Sequence, residues 1–451
     1  MSYAAAIDQL SAMAPELYAN SGQPRRKFSL DEIGILMAAL GNPQRRFPSL
    51  LIAGTNGKGS TASTLASILT ASGVRTGLYT SPHLARVNER IRVGRAEIAD
   101  DAFASLFFRV QDAARQLVEE GRLAQMPSYF EILTAQAFLF FAGMRVDLAV
   151  LEVGMGGRLD ATNIVDPLLS VITDISLDHT EWLGSTIAAI AREKAGILRR
   201  RGTMITLPQH PEANQVLEEV AAELGVRRVS AVPYLPPTGA GVADAYCVNA
   251  MGATIRVDSP LAGAHQHRNV ALAIAAAVEL AGKHGFPVKP AAIAEGIRKT
   301  RWPGRLERIE RDGVEWILDV AHNPAGAWAL RDGLATVLAR AGGDRRLGTL
   351  IFSCLRDKPI AEMGQILFPL FDQVILAPIQ TPRAAALDDL LAAAEVTGVR
   401  AIAAESVSQA MQLAVEEARQ SAQPSVMVVS GSVYLVGEAR TLLLAGMEMQ
   451  P

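Results

Sequence analysis

Leu50-Leu-Ile-Ala-Gly-Thr-Asn-Gly-Lys-Gly-Ser60 is a short apolar run that breaks into a glycine-rich turn and then opens a helical pattern. The stretch from Leu50 to Ala53 has the length and composition of a buried strand, and helical periodicity runs from Lys58 to near Gly73. Such a turn between a strand and a helix is where a phosphate loop belongs. Gly54, Gly57 and Gly59, with Thr55 and Asn56 between them, let backbone N–H groups turn inward, and the helix N-terminus adds a favourable dipole. Lys58 is placed to reach the β- and γ-phosphates of a nucleotide, and the Ser60 hydroxyl to contact a metal ion. The spacing is more compact than the usual Walker A pattern.

Outward from the loop, Asp147-Leu-Ala-Val-Leu-Glu152 is a second apolar strand, and it ends in an acid. A third, Leu168–Ile175, leads into Leu177-Asp178-His179. Strand C-termini in a parallel sheet converge on one edge, so Glu152 and His179 are expected beside the phosphate loop as metal ligands. In the helix opening at Ser185, Ile187, Ile190, Ala191 and Lys194 share one face, which puts a lysine on the apolar side. An unpaired buried ammonium is costly, so Lys194 is expected to be salt-bridged, neutralised or chemically modified, or to snorkel along the helix to water. The pattern alone does not choose among these.

Alternation of strands and helices continues, so the fold class is α/β, a mostly parallel sheet with helices on both faces. With 451 residues, two cores are expected. The Pro/Gly break at Thr300-Arg-Trp-Pro-Gly304 precedes a second alternating series: Glu315–Asp319, Thr349–Cys354, Val374–Ala377 and Val426–Ser430. The boundary is therefore set at residue 300, giving a phosphate-loop domain over 1–299 and a smaller Rossmann-like α/β domain over 300–451. Arg227–Pro260 reads as a small β-excursion of the first. Near the start, Ser29 reads as a helix N-cap with Phe28 and Ile33 as its hydrophobic staple.

The net charge of −3 gives no electrostatic case for nucleic acid, and the scattered basic clusters read as solvated surface. Every apolar run is short or interrupted by charge, so no membrane span is expected, and MSYAAAIDQL lacks the features of a secretory signal. Cys247 and Cys354 both lie in apolar runs and read as buried small hydrophobes. A cytoplasmic monomer is the expectation.

The motifs as a set resemble those of folylpolyglutamate synthase/dihydrofolate synthase, within the Mur ligase superfamily. GTNGKGS (Gly54–Ser60), Tyr79-Thr-Ser-Pro-His-Leu84, Val87-Asn-Glu-Arg-Ile91, EVGMGGRLDATN (Glu152–Asn163), LDHTEWLG (Leu177–Gly184), REKAGI (Arg192–Ile197), WPGRLE (Trp302–Glu307), AHNPAGA (Ala321–Ala327) and GSVYLVGE (Gly431–Glu438) run in family order over nearly the whole chain. The resemblance implies ATP and Mg2+ as cofactors, with Ser81, Glu152 and His179 as magnesium ligands. Lys194 matches a lysine that is carbamylated in relatives, which turns a buried cation into a metal-binding carboxylate. It further implies that Asn269, Arg305 and Asp319 contact the nucleotide and that His322 and Ser432 hold the incoming glutamate. Ser128, Tyr129, Phe130 and Glu131, with Leu159, Asp160 and Ala161, would line the pterin pocket. Two positions depart from the family pattern: Val320 where relatives often have Gly, and Pro359 in a loop that usually ends in an acid.

The implied reaction activates the carboxylate of 7,8-dihydropteroate or a reduced folate as an acyl phosphate, which the amine of L-glutamate then attacks. Lys58, Lys194 and His322 are the expected catalytic residues. Enzymes for one of the two steps, a cell-wall Mur-type amino-acid ligase, and a non-catalytic nucleotide switch are the competing readings.

Overall fold

The computed structural model describes residues 2–13, 29–237, 245–311, 313–340, 346–420 and 425–445. Ten strands precede residue 260: β1 (Ser49–Ala53), β2 (Thr76–Tyr79), β3 (Ile91–Val93), β4 (Ala96–Glu97), β5 (Leu148–Glu152), β6 (Ser170–Ile172), β7 (Thr203–Thr206), β8 (Arg227–Ser230), β9 (Ala245–Ala250) and β10 (Ala253–Asp258). The first eight form one sheet in the order β4-β3-β2-β5-β1-β6-β7-β8. From β2 to β8 the pairing is parallel, and β3 and β4 add an antiparallel edge.

β1 lies between β5 and β6 and is buried throughout, which is why its sequence is a continuous apolar run. Its residues alternate between two cores: Leu51 and Ala53 face one, Leu50 and Ile52 the other. The helices Leu30–Ala39, Asp100–Glu119 and Tyr129–Gly143 cover the first face. Lys58–Ala71, Ala264–His284 and Pro290–Arg298 cover the second, and Gly296 comes so close to Ile68 that a Cβ there would sit 2.3 Å from the Ile68 Cα.

Three expectations change. The run Leu168–Ile175 pairs only over Ser170–Ile172, because the chain then turns to put the Asp174 carbonyl under the phosphate loop, where it accepts from the N–H groups of Thr55 and Asn56. Arg227–Ser230 is not part of an excursion but the parallel edge strand β8; only β9 and β10 form a separate antiparallel hairpin. That hairpin buries one face, so Tyr246 and Val248 point inward while Cys247 between them is exposed, contrary to the expected burial. Cys354 is buried as expected. Ser29 caps its helix through the Asp31 N–H, whereas Phe28 lies outside the described residues.

The second sheet comprises β11 (Glu307–Arg311), β12 (Val314–Asp319), β13 (Arg346–Phe352), β14 (Gln373–Leu376), β15 (Arg400–Ala403) and β16 (Ser425–Ser430), ordered β11-β12-β16-β13-β14-β15. It is parallel except for β11, and it too has a core on each face. Among the described residues no helix is long and apolar enough to cross a membrane.

Candidate active site

The phosphate loop leaves β1 at Gly54 and enters the helix Lys58–Ala71. Gly57, its N-cap, has φ +88°, and a Cβ there would meet the Asn269 Oδ1 at 2.1 Å, so both conformation and space demand glycine. Asn269 is buried and donates to the Gln266 Oε1 at 2.8 Å. The loop is fixed from beneath by β6 and its continuation: Thr55 Oγ1 donates to the Ser176 carbonyl at 3.0 Å, and Asn56 Nδ2 to the Ser176 Oγ at 3.1 Å. Arg268 grips the Asp174 carboxylate with two nitrogens at 2.8 and 2.5 Å, holding the segment that backs the loop. Ser60 is buried in the first helical turn.

Two lysines converge on the loop. Lys58 Nζ donates to the carbonyls of Gly54 and Thr55, both at 3.1 Å, and Lys194 Nζ donates to the same Gly54 carbonyl at 2.8 Å. Thr186 caps the Lys194 helix, Ile187–Ala195, and the face predicted to be apolar is the one turned inward: Ile190, Ala191 and Lys194 are all buried. Snorkelling to water is thereby ruled out. Burial, reinforced by the charge of Lys58, pushes the Lys194 amine down to about 7.

Glu152 ends β5 with its carboxylate buried, and its Oε2 accepts from the Ser81 N–H at 3.1 Å. Burial raises this acid to about 7, against the pull of Lys58. His179 is lowered to about 4, chiefly by burial, so its imidazole is neutral and keeps a lone pair for a metal. Glu152, His179 and Lys194 all feel the charge of Lys58, which puts them around one point of the loop. Among the described residues no three His, Cys, Asp or Glu side chains are placed to hold a metal. The donors gathered here are instead one carboxylate, one neutral imidazole, the serine hydroxyls of Ser60 and Ser81, and a lysine whose amine burial brings down to about 7. A hard cation that also takes phosphate oxygens fits that set, and among the described residues Glu152 forms no direct ion pair that would compete with it.

The second sheet meets this edge with its own strand ends. His322 and Asn323 follow β12, and Lys358 follows β13. Lys358 Nζ lies 2.7 Å from Asp178 Oδ1, Asn323 Nδ2 lies 3.2 Å from Asp178 Oδ2, and His322 Nε2 approaches the same oxygen at 3.7 Å. The His322 Nδ1–H donates to the Val320 carbonyl at 2.8 Å, which aims Nε2 at Asp178. Asn323 also reaches the phosphate loop itself, donating to the Asn56 Oδ1 at 3.1 Å. Although burial opposes it, His322, His179 and Lys358 hold the Asp178 carboxyl far below the usual carboxylate range. Asp178, Asn323 and Lys358 are functional candidates that the sequence alone does not single out. The one available signal was that Asp178 adjoins His179 and Asn323 adjoins His322.

Other expected residues are accounted for differently. Asp319 accepts from the N–H groups of Leu306 and Ala321, both at 2.9 Å, so its oxygens shape the turn that carries Arg305 and His322. Arg305 is buried between the charges of Asp319 and Glu152. Ser432 is buried just past β16, whose end pairs with that of β12, and its Oγ caps the following helix by accepting from the Tyr434 N–H at 3.2 Å. Ser128 and Glu131 bond each other in a capping box at the start of Tyr129–Gly143. Asp160 accepts from Met155 and Thr162, Ala161 is buried in the short turn it caps, and Leu159 is half-buried. Tyr129 and Phe130 alone present rings: Tyr129 beneath Arg90, and Phe130 5.9 Å from Tyr79. The two family departures are absorbed, since Val320 supplies the carbonyl for His322 and Pro359 caps the helix Ile360–Leu367.

Residues 52–277 match the Mur ligase middle domain, and 304–433 match the Mur ligase glutamate ligase domain. The folylpolyglutamate synthase of Lacticaseibacillus casei is 35% identical over 417 residues, spanning 91% of this chain and 93% of that protein. The chain belongs to the folylpolyglutamate synthase/dihydrofolate synthase family of Mur ligases. A second member, the dihydrofolate synthase/folylpolyglutamate synthase of Mycobacterium tuberculosis, is 37% identical over 444 residues, covering 92% of this chain and 90% of its own. The family fold is shared as well. The M. tuberculosis enzyme complexed with ADP and AMPPCP superposes with a TM-score of 0.86 at 34% identity, over 98% of this chain and 99% of the other. E. coli FolC in complex with DHPP and ADP gives 0.78 at 31% identity, over 98% of both chains.

Proposed function

We propose that this protein is an ATP-dependent ligase joining L-glutamate to the carboxylate of a pteroate or folate, and that it acts as both dihydrofolate synthase and folylpolyglutamate synthase. The observation that carries the reading is the junction at Asp178 and Asn56, where the phosphate loop of one sheet meets His322, Asn323 and Lys358 of the other. A carboxylate is too poor an electrophile for an amine and must first take the γ-phosphoryl group of ATP. The loop N–H groups and Lys58 hold that group and neutralise its developing charge. Mg2+ would be held by Ser81, Glu152, His179 and Lys194 as its carbamate, and when bound would supply further positive charge at the same point. An amine brought to about 7 is available to react with carbon dioxide, which is the form of Lys194 this role needs.

The acyl phosphate then accepts the glutamate amine, and inorganic phosphate leaves. His322 and Ser432 are assigned to glutamate, Asn269, Arg305 and Asp319 to the nucleotide, and the Tyr129–Phe130 wall to the pteroyl group. Solved relatives hold ADP, AMPPCP, folate and DHPP, ligands of the same classes. In this reading the chain divides near residue 300 and works as a cytoplasmic monomer. Glutamate-dependent ADP release with magnesium-ATP tests it, comparing 7,8-dihydropteroate with a reduced folate. Turnover of both is expected; turnover of one assigns a single step, and turnover of neither refutes the proposal.

A further inference from the structure

Arg90 carries a charge that the reaction scheme above leaves unused. It closes the short turn Val87–Arg90 that leads into β3, and only 7% of its surface is exposed. Its Nε donates to the His83 Nδ1 at 2.9 Å, and its guanidinium carbon lies 5.3 Å from the centroid of the Tyr129 ring. Among the described residues no Asp or Glu forms an ion pair with it, and its terminal nitrogens have no hydrogen-bond acceptor. A buried guanidinium without an anion is expensive to maintain. A neutral imidazole and a ring face orient the fork and satisfy its rim, but neither balances its charge.

The surroundings identify the missing anion. Tyr129 begins the helix Tyr129–Gly143, and its neighbour Phe130 leans on Tyr79 at 5.9 Å between centroids. Together they place aromatic rings on this side of the guanidinium. On the phosphate edge, its partner His83 follows two residues after Ser81, whose N–H donates to the Glu152 Oε2 at 3.1 Å. The guanidinium is therefore joined both to an aromatic ring and, through His83, to the turn that meets Glu152 beside the phosphate loop. A planar fork with both terminal nitrogens uncommitted matches a carboxylate in bidentate geometry better than it matches a point charge.

We infer that Arg90, oriented by His83 and Tyr129, binds the acceptor carboxylate nearest the acceptor's aromatic ring. The inference rests on the ligase reading above and deepens it. In a pteroate this is the reacting carboxylate. In a folate it is the α-carboxylate of the first glutamate, which leaves the γ-carboxylate to extend toward the phosphates.

The test measures binding of 7,8-dihydropteroate and of its neutral carboxamide to the full-length protein with ADP present, for the wild type, Arg90→Gln and Arg90→Lys. A charge-assisted bidentate contact predicts that the wild type prefers the acid by about 10- to 100-fold. Arg90→Gln should bind acid and amide within about threefold of each other, with ADP affinity unchanged. Arg90→Lys, which keeps the charge but loses the fork, should retain part of the preference, and it carries the comparison should Arg90→Gln fail to fold. An acid preference undiminished in either variant overturns the inference while leaving the ligase reading intact. A wild type that binds neither compound overturns both.

Discussion

Replacing Lys358 with methionine removes the ammonium that reaches from the second sheet to Asp178 of the first. The side chains of the pair are only 5% and 8% exposed at a separation of 2.7 Å, so solvent screens them little. Breaking such a pair by deleting one partner costs about 3–5 kcal/mol, because the surviving charge stays buried. Asp178 keeps the Asn323 contact at 3.2 Å and the His322 approach at 3.7 Å, which favours the lower end. A loss of about 3 kcal/mol corresponds to roughly a hundredfold in an equilibrium or rate. Since the partners sit at the ends of different sheets, the loss should fall on the alignment of the two domains rather than on either core. The assay is steady-state turnover with glutamate varied at saturating ATP and acceptor, where kcat/KM for glutamate should drop by about that factor. The reasoning is refuted if Lys358→Met stays within about threefold of wild type. It is also refuted if the loss is equally large in an Asp178→Asn background, since Lys358 would then act on something other than Asp178.

Three further outcomes follow from the same geometry. Gly437, in the helix Val433–Leu444, has the Leu84 carbonyl 1.9 Å from where a Cβ would lie, so Gly437→Ala must push the Ser81-bearing loop off the second domain. Overpacking of about 1–3 kcal/mol should lower kcat/KM by at least fivefold in turnover assays while the melting temperature barely moves. Glu152 is raised from 4.5 to about 7, so in magnesium-free buffer the stability gained from its neutral form is complete below pH 4.5 and is lost as pH rises through 7. Glu152→Gln should therefore gain up to about 3 kcal/mol over wild type in urea melts at pH 8 and nothing at pH 4. Finally, turnover in carbon-dioxide-depleted buffer at pH 7 should fall and recover on adding bicarbonate; insensitivity to bicarbonate would remove the carbamate from Lys194.

The residues that sequence placed correctly are those whose signal is local. The strand–turn–helix around Gly54–Ser60 is written in consecutive letters, and the inward face of Ile190, Ala191 and Lys194 in a single helical period. The misplacement of Cys247 has an equally local cause: an apolar run reads as buried on both faces, but the hairpin of β9 and β10 covers only one. Asp178 is a different case. Its partners Asn323 and Lys358 are 145 and 180 residues away, and each by itself is an ordinary polar residue in a loop. Arg90 is harder still, because its meaning lies in what is missing. An arginine in a turn reads as surface until the packing of β2, β3 and the helix Tyr129–Gly143 removes it from water with no ion pair to an acid among the described residues. Burial makes both sites informative, with opposite outcomes. The cost of desolvation is met at Asp178 by a cation from the second domain, so that site joins the domains; at Arg90 no Asp or Glu among the described residues forms an ion pair, and the balance falls to the substrate.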